Sequence, residues 1–269
     1  MRELCILFMY HQCDDLTLRH FHLVKEQNPS SVVVPVCNSL SEQLPDSVDV
    51  KNFQSKWDTR DKWRSCDTLL YLWFANRPLN AKRYIVVEYD VLCTQPFAEA
   101  YRDVWDAEVA CANLTTQLLT PNWVFFSRRQ IAALPAKQRP YAAGIVPLAC
   151  AQYSHRALEV ILEHVTENDV FCELRLGTAV RYAGLEVTRF PRRLRRTITY
   201  HPYTGDRSSS GIYHAVKPQD QESSWRRLED DSPRRRHHGL NISALNVGMQ
   251  LGVGALRRYA EFAANRLVS

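Results

Sequence analysis

The sequence predicts an α/β domain built on a parallel, doubly wound sheet flanked by helices. Three observations carry that expectation. The chain opens strand–helix–strand, with an apolar run at residues 4–10, a helical stretch at 16–27 and a β-branched run at 32–36. Its most strand-like run, Arg83-Tyr84-Ile85-Val86-Val87, ends abruptly in the polar triplet Glu88-Tyr89-Asp90. Further strand and helical patterns follow as far as residue 190. A strand–helix–strand opening returns its second strand parallel to the first, because the right-handed crossover is nearly obligatory.

Asp14-Asp15 caps the first helix, and Asn28-Pro29-Ser30-Ser31 breaks it before the second strand. Residues 57–74 follow as a helix, with Trp63, Cys66, Leu69, Leu70 and Trp73 spaced to form one apolar face. Asn76-Arg77-Pro78 ends it. After the strand at 83–87, residues 108–112 and 123–127 read as further short strands, and 140–147 as a loop. A helix is expected at 154–165, and another at 173–183 closed by Gly184 ahead of a strand at 185–190. The domain is expected to occupy residues 1–216. Residues 217–240 are charged and nearly free of apolar side chains, which predicts a flexible linker. Residues 241–269 regain helical periodicity, with Arg257, Arg258 and Arg266 toward one end, and predict an amphipathic helix able to lie on a membrane surface.

Composition narrows the function classes. Of 269 residues 45% are apolar, enough for a substantial core. The net charge of +5 is too mild for a dedicated nucleic-acid binder and suits a small anionic ligand. The eight cysteines include no C-x-x-C pair and mostly sit in apolar runs, which predicts reduced core thiols and not a disulfide framework or zinc site. No run is long and apolar enough for a spanning helix or a secretory signal, so the expected location is cytoplasmic, with peripheral membrane contact through the C-terminal helix.

The chemistry centres on Glu88-Tyr89-Asp90. Ligands of open α/β sheets bind at the carboxyl ends of the strands. Two carboxylates one residue apart at such an end can approach one hard cation, whose shell phosphate oxygens would complete. His214 and Lys217 lie three residues apart after the last expected strand. The imidazole can supply a third metal ligand and the ammonium can hold a diphosphate. Manganese tolerates such a mixed oxygen and nitrogen shell better than calcium does, with magnesium the alternative ion.

In layout and motifs, residues 3–217 resemble nucleotide-sugar glycosyltransferases of the GT-A fold. That resemblance rests on the first strand and its loop, on Glu88-Tyr89-Asp90 as a D-x-D-type motif after a buried strand, and on the late His214. It implies a GT-A-like (nucleotide-diphospho-sugar transferase) sandwich with a mostly parallel mixed central sheet flanked by helices, and transfer of a sugar to an acceptor hydroxyl. The donor would be a UDP- or GDP-sugar and the acceptor a glycan, lipid or protein hydroxyl, with no role for nucleic acid. The first-strand loop, with Tyr10 and His11, would hold the nucleobase. Arg64 and Asp67 on the helix before the motif strand would lie near the nucleotide, Tyr89 would join the donor-binding set, and Lys217 would meet the diphosphate. Glu in the first motif position makes Asp90 the firmer ligand and Glu88 the weaker one. For an inverting enzyme the resemblance assigns Glu173, at the start of its helix, as the base, where the helix dipole favours an ionised carboxylate. A retaining enzyme leaves Glu173 without that part.

Two other readings stay open. A nucleotidyltransferase would carry a Gly-rich phosphate loop after the first strand, whereas Tyr10-His11-Gln12-Cys13-Asp14-Asp15 contains no glycine. A non-catalytic nucleotide-sugar-binding relative would tolerate an altered motif. Arg192, Arg193, Arg195 and Arg196 form a basic cluster within reach of an anionic group in either case.

Overall fold

The structure is a computed structural model that describes residues 2–38, 40–53, 66–76, 79–121, 123–167, 170–200, 203, 207 and 209–216. Arg64, Lys217, the expected linker and the expected C-terminal helix lie outside the described residues.

β1 (Arg2–Met9), α1 (Asp15–Gln27), β2 (Val32–Cys37) and β3 (Val48–Asp49) open the chain. α2 (Asp67–Asn76), β4 (Ala81–Glu88), β5 (Leu92–Cys93) and α3 (Phe97–Ala100) follow. Next come β6 (Val109–Cys111), β7 (Asn113–Thr116), α4 (Arg128–Ala133), β8 (Ala143–Val146) and β9 (Gln152–Ser154). α5 (His155–His164), α6 (Cys172–Tyr182), β10 (Val187–Arg189), α7 (Arg192–Thr197) and β11 (Ile212–Tyr213) complete the set.

Seven strands form the central sheet in the order β10-β6-β9-β4-β1-β2-β3. All neighbours pair in parallel except β9, which runs antiparallel to both β4 and β6. The sheet is therefore mixed and mostly parallel, as the resemblance implied.

Both faces of the sheet are covered, and β1 shows why. Its odd residues Cys5, Leu7 and Met9 pack with α2, α5 and α6, while Leu4, Ile6 and Phe8 pack with α1, α3 and α7. Alternate side chains of a strand point to opposite faces, so an unbroken apolar run is what a two-sided core demands. Asp14 caps α1 by accepting from the Thr17 amide at 2.8 Å, and Ser154 caps α5 in the same way. Gly184 closes α6 at φ +70°, a left-handed turn that favours glycine.

The structure corrects several sequence expectations. Residues Val124–Phe126 form a 3-10 turn and no strand, because the Phe126 amide donates back to the Trp123 carbonyl and the Trp123 ring packs on Gly144. The loop expected at 140–147 contains β8, which pairs with β7 as an antiparallel ribbon beside the main sheet. The arginine cluster at 192–196 builds α7. Within it Arg193 pairs with Asp103, and Arg195 donates to the Phe190 carbonyl, so those two brace the fold. α2 is not amphipathic over its described length: every residue from Asp67 to Phe74 is buried.

Candidate metal and donor site

β1 and β4 are parallel and register Met9 opposite Glu88, so the segments that follow both strands leave from the same edge of the sheet. There His11 and Tyr89 meet edge to face, with ring centroids 4.6 Å apart. The turn after β4 closes through the Val91 amide on the Glu88 carbonyl at 3.0 Å, and β5 begins directly afterwards.

β5 brings His214 to this turn from far along the chain. Its pairing with β11 sets Tyr213 opposite Leu92, and the Val216 amide donates to the Asp90 carbonyl at 2.8 Å. The His214 amide donates to Thr197, and the His214 carbonyl accepts from Thr199. The His214 ring is then fixed by Nδ1, which lies 2.7 Å from the Thr199 carbonyl. A carbonyl only accepts, so Nδ1 carries the hydrogen, and neutral imidazole then keeps its lone pair on Nε2.

Nε2 faces the two carboxylates. It stands 3.5 Å from Asp90 Oδ1 and 3.9 Å from Glu88 Oε2. One ligand atom from each of Glu88, Asp90 and His214 falls within 4.8 Å of the others. Asp90 and His214 are buried and Glu88 is half-buried, so the cluster opens to solvent on the Glu88 side. The three residues selected from sequence as metal ligands thus come together. Two ligands of an octahedral cation, each about 2.1 Å from it, lie roughly 3 Å apart. The observed spacing needs only small side-chain adjustments to reach that, and the oxygen, oxygen and nitrogen donor set fits a divalent cation. The bond from Nδ1 to a carbonyl is the outer support that a metal-bound histidine normally has.

Glu173 sits in the first turn of α6. One oxygen accepts from the Leu148 amide at 3.2 Å, and the other, Oε2, is buried without a hydrogen-bond partner. Burial first, and then the negative charge of Glu88, push its carboxyl well above the usual range. Burial thus opposes the ionised form that the helix dipole favours.

Two nucleotide contacts expected from sequence are engaged elsewhere. Tyr10 is 1% exposed, and its hydroxyl bonds Ser47 Oγ at 2.6 Å and the Leu44 amide at 3.0 Å, so the phenol braces the loop after β2. Asp67 is wholly buried, and both its oxygens are taken by the Arg175 guanidinium, with Nε to Oδ2 at 2.8 Å. Burial opposes the charge on Arg175, but the Asp67 carboxylate more than offsets it and holds the guanidinium protonated. His11 and Tyr89, by contrast, remain at the site edge.

Sequence reasoning missed His20. It is fully buried on α1, and its Nδ1 lies 3.0 Å from the Tyr89 carbonyl, so it ties the acidic turn to the helix beneath. Burial lowers its pKa, which keeps the ring neutral. The signal was present: His20 falls in the apolar stripe with Leu16, Phe21 and Val24, a place where a polar side chain needs a specific partner.

No protein-family model matches the chain, and no curated protein matches its sequence. Among solved structures it is similar to the galactosyltransferase LgtC in complex with donor and acceptor sugar analogs. The two are 10% identical over 84% of this chain and 94% of that chain, with a TM-score of 0.43. An active-site mutant of LgtC matches at 10% identity over 84% and 95% of the two chains, TM-score 0.42. Apo mouse xyloside xylosyltransferase 1 matches at 12% identity over 70% and 84%, TM-score 0.36. No helix among the described residues is long and apolar enough to cross a membrane.

Proposed function

We propose that the protein is a metal-dependent glycosyltransferase that moves a sugar from a nucleotide-diphosphate donor to an acceptor hydroxyl. The observation that carries this reading is the meeting of Glu88, Asp90 and His214 at the carboxyl end of β4, within 4.8 Å of one another. A divalent cation held there, Mn2+ or Mg2+, would neutralise charge growing on the diphosphate leaving group. The chain's own residues supply the rest. Asp90 and the Nε2 of His214 are the buried, oriented ligands, and the half-buried Glu88 is the adjustable one. His11 and Tyr89 offer ring faces to the donor beside the metal ligands. Lys217, three residues beyond His214, would meet the diphosphate, and Arg64 would lie near the nucleotide.

Glu173 is the proposed base for an inverting reaction, with a condition attached. Burial and then the field of Glu88 raise its pKa, so positive charge at the site would have to offset both for it to accept a proton from the acceptor.

Calorimetric titration tests the reading. UDP and GDP are titrated with and without Mn2+ into the wild type and into Asp90→Ala. Nucleotide binding that requires metal in the wild type, and disappears in Asp90→Ala, is the expected result. Binding indifferent to metal, or absent for both nucleotides, would sink the proposal. Hydrolysis of UDP- and GDP-sugars then separates donors.

A further inference from the structure

Two of the eight cysteines meet in space although 106 residues separate them. Cys66 immediately precedes α2, and Cys172 is the first residue of α6. The Cys66 thiol donates to Cys172 with the sulfurs 3.3 Å apart. The same two helix starts are held together by a second, independent contact. Asp67, next to Cys66, accepts both hydrogen bonds of the Arg175 guanidinium, one turn along α6 from Cys172. The backbone around the two sulfurs is thus fixed by an ion pair that does not involve them. Closing a bond of about 2.05 Å from 3.3 Å asks for roughly 1.2 Å of sulfur movement, within the reach of side-chain rotation.

We propose that Cys66 and Cys172 form an oxidation site, a dithiol that closes to a disulfide and bolts the start of α2 to the start of α6. The inference does not depend on the glycosyltransferase reading. Cys66 is the partly exposed partner and Cys172 the buried one, so an oxidant reaches Cys66 first. With hydrogen peroxide, the Cys66 sulfur attacks one peroxide oxygen, and one water leaves as Cys66 becomes a sulfenic acid. The Cys172 sulfur then displaces the second water as the S–S bond forms. Two thiols are oxidised and one peroxide is reduced to two waters. Oxidised glutathione reaches the same product by exchange, releasing two glutathione thiols. The hydrogen bond to Cys172 and then burial push the Cys66 thiol well above its usual range, and burial pushes Cys172 up as well. Both thiols are thus held toward the S–H form, which slows closure.

The test starts from the fully reduced, folded full-length chain, with no metal or nucleotide. It is exposed to hydrogen peroxide or to oxidised glutathione, blocked with iodoacetamide and digested for mass spectrometry. The expected result is a peptide pair joined through Cys66 and Cys172, with free thiols falling from eight to six. A rise in melting temperature of about 5–10 °C, reversed by dithiothreitol, should accompany it, because the bond closes a long loop. Cys66→Ser and Cys172→Ser should each lose the linked peptide. Persistence of eight free thiols, or loss of thiols without this pair, overturns the proposal. Since the readout uses no nucleotide, its failure leaves the proposed function untouched, and the reverse also holds.

Discussion

Asp67 and Asp90 are both buried carboxylates, 0% and 2% exposed, yet their surroundings are opposite in kind. Asp67 is clamped: a guanidinium engages both oxygens in a bidentate, charge-balanced pair between α2 and α6. Asp90 is set beside another carboxylate and an imidazole nitrogen, at distances longer than good hydrogen bonds. A closed pair of opposite charges serves the fold. A carboxylate pair converging with an imidazole nitrogen, open on the side of the half-buried Glu88, could receive a cation. Two aspartates of similar burial can therefore be told apart by what their oxygens face.

Removing the clamp should have the largest effect on stability. Asp67→Ala leaves Arg175 buried without its counter-charge and is expected to lower the unfolding free energy by about 3–5 kcal/mol, read from urea denaturation. Asp90→Ala should lower it by distinctly less, and an equal loss would erase the proposed contrast. Next comes the packing that holds α6 in place. A Cβ on Gly177 would sit 2.5 Å from the Ala143 carbonyl oxygen, so α6 approaches the β8 backbone only because this residue is glycine. Gly177→Ala is expected to destabilise by about 1–3 kcal/mol, and an unchanged melting temperature would mean that the contact yields freely.

A third test probes the acidic side of the comparison through pH. The unfolded chain releases the Glu173 proton near 4.5, whereas the folded state keeps it to a much higher pH. The folded state then binds more protons, so this contribution to stability is complete below 4.5 and is lost as pH rises through the folded value. Glu173→Gln can still accept from the Leu148 amide and does not titrate. In metal-free protein its stability relative to wild type should therefore rise between about pH 5 and pH 8. A difference independent of pH would mean that Glu173 is already ionised.

Much of this was legible in the sequence where a long local pattern carried it. β1, β2 and β4 each contain an unbroken apolar run, α1 and α5 carry capping residues, and Gly184 closes the turn after α6. The triad of Glu88, Asp90 and His214 was readable because residue type and strand position coincide. What escaped depends on partners distant in sequence. β9 is three residues long and looks like the lead-in to α5 until β4 and β6 close on it. The aromatic run around Trp123 has strand composition, but packing on Gly144 and Phe171 winds it into a turn. Nothing local announces Arg175 as the partner of Asp67, or Ser47 as that of Tyr10. His20 was passed over because its partner is a backbone carbonyl 69 residues away.

β9 also bears on how the chain comes off the ribosome. It fills the gap between β4 and β6, so until residue 154 has been made each of those strands offers an unpaired edge. Open edges template pairing with other chains, and contacts of long sequence separation form late. Fragments that stop before residue 152 should be prone to aggregate, however complete their earlier elements, and the growing chain depends on three later residues to join β6 to the rest of its sheet.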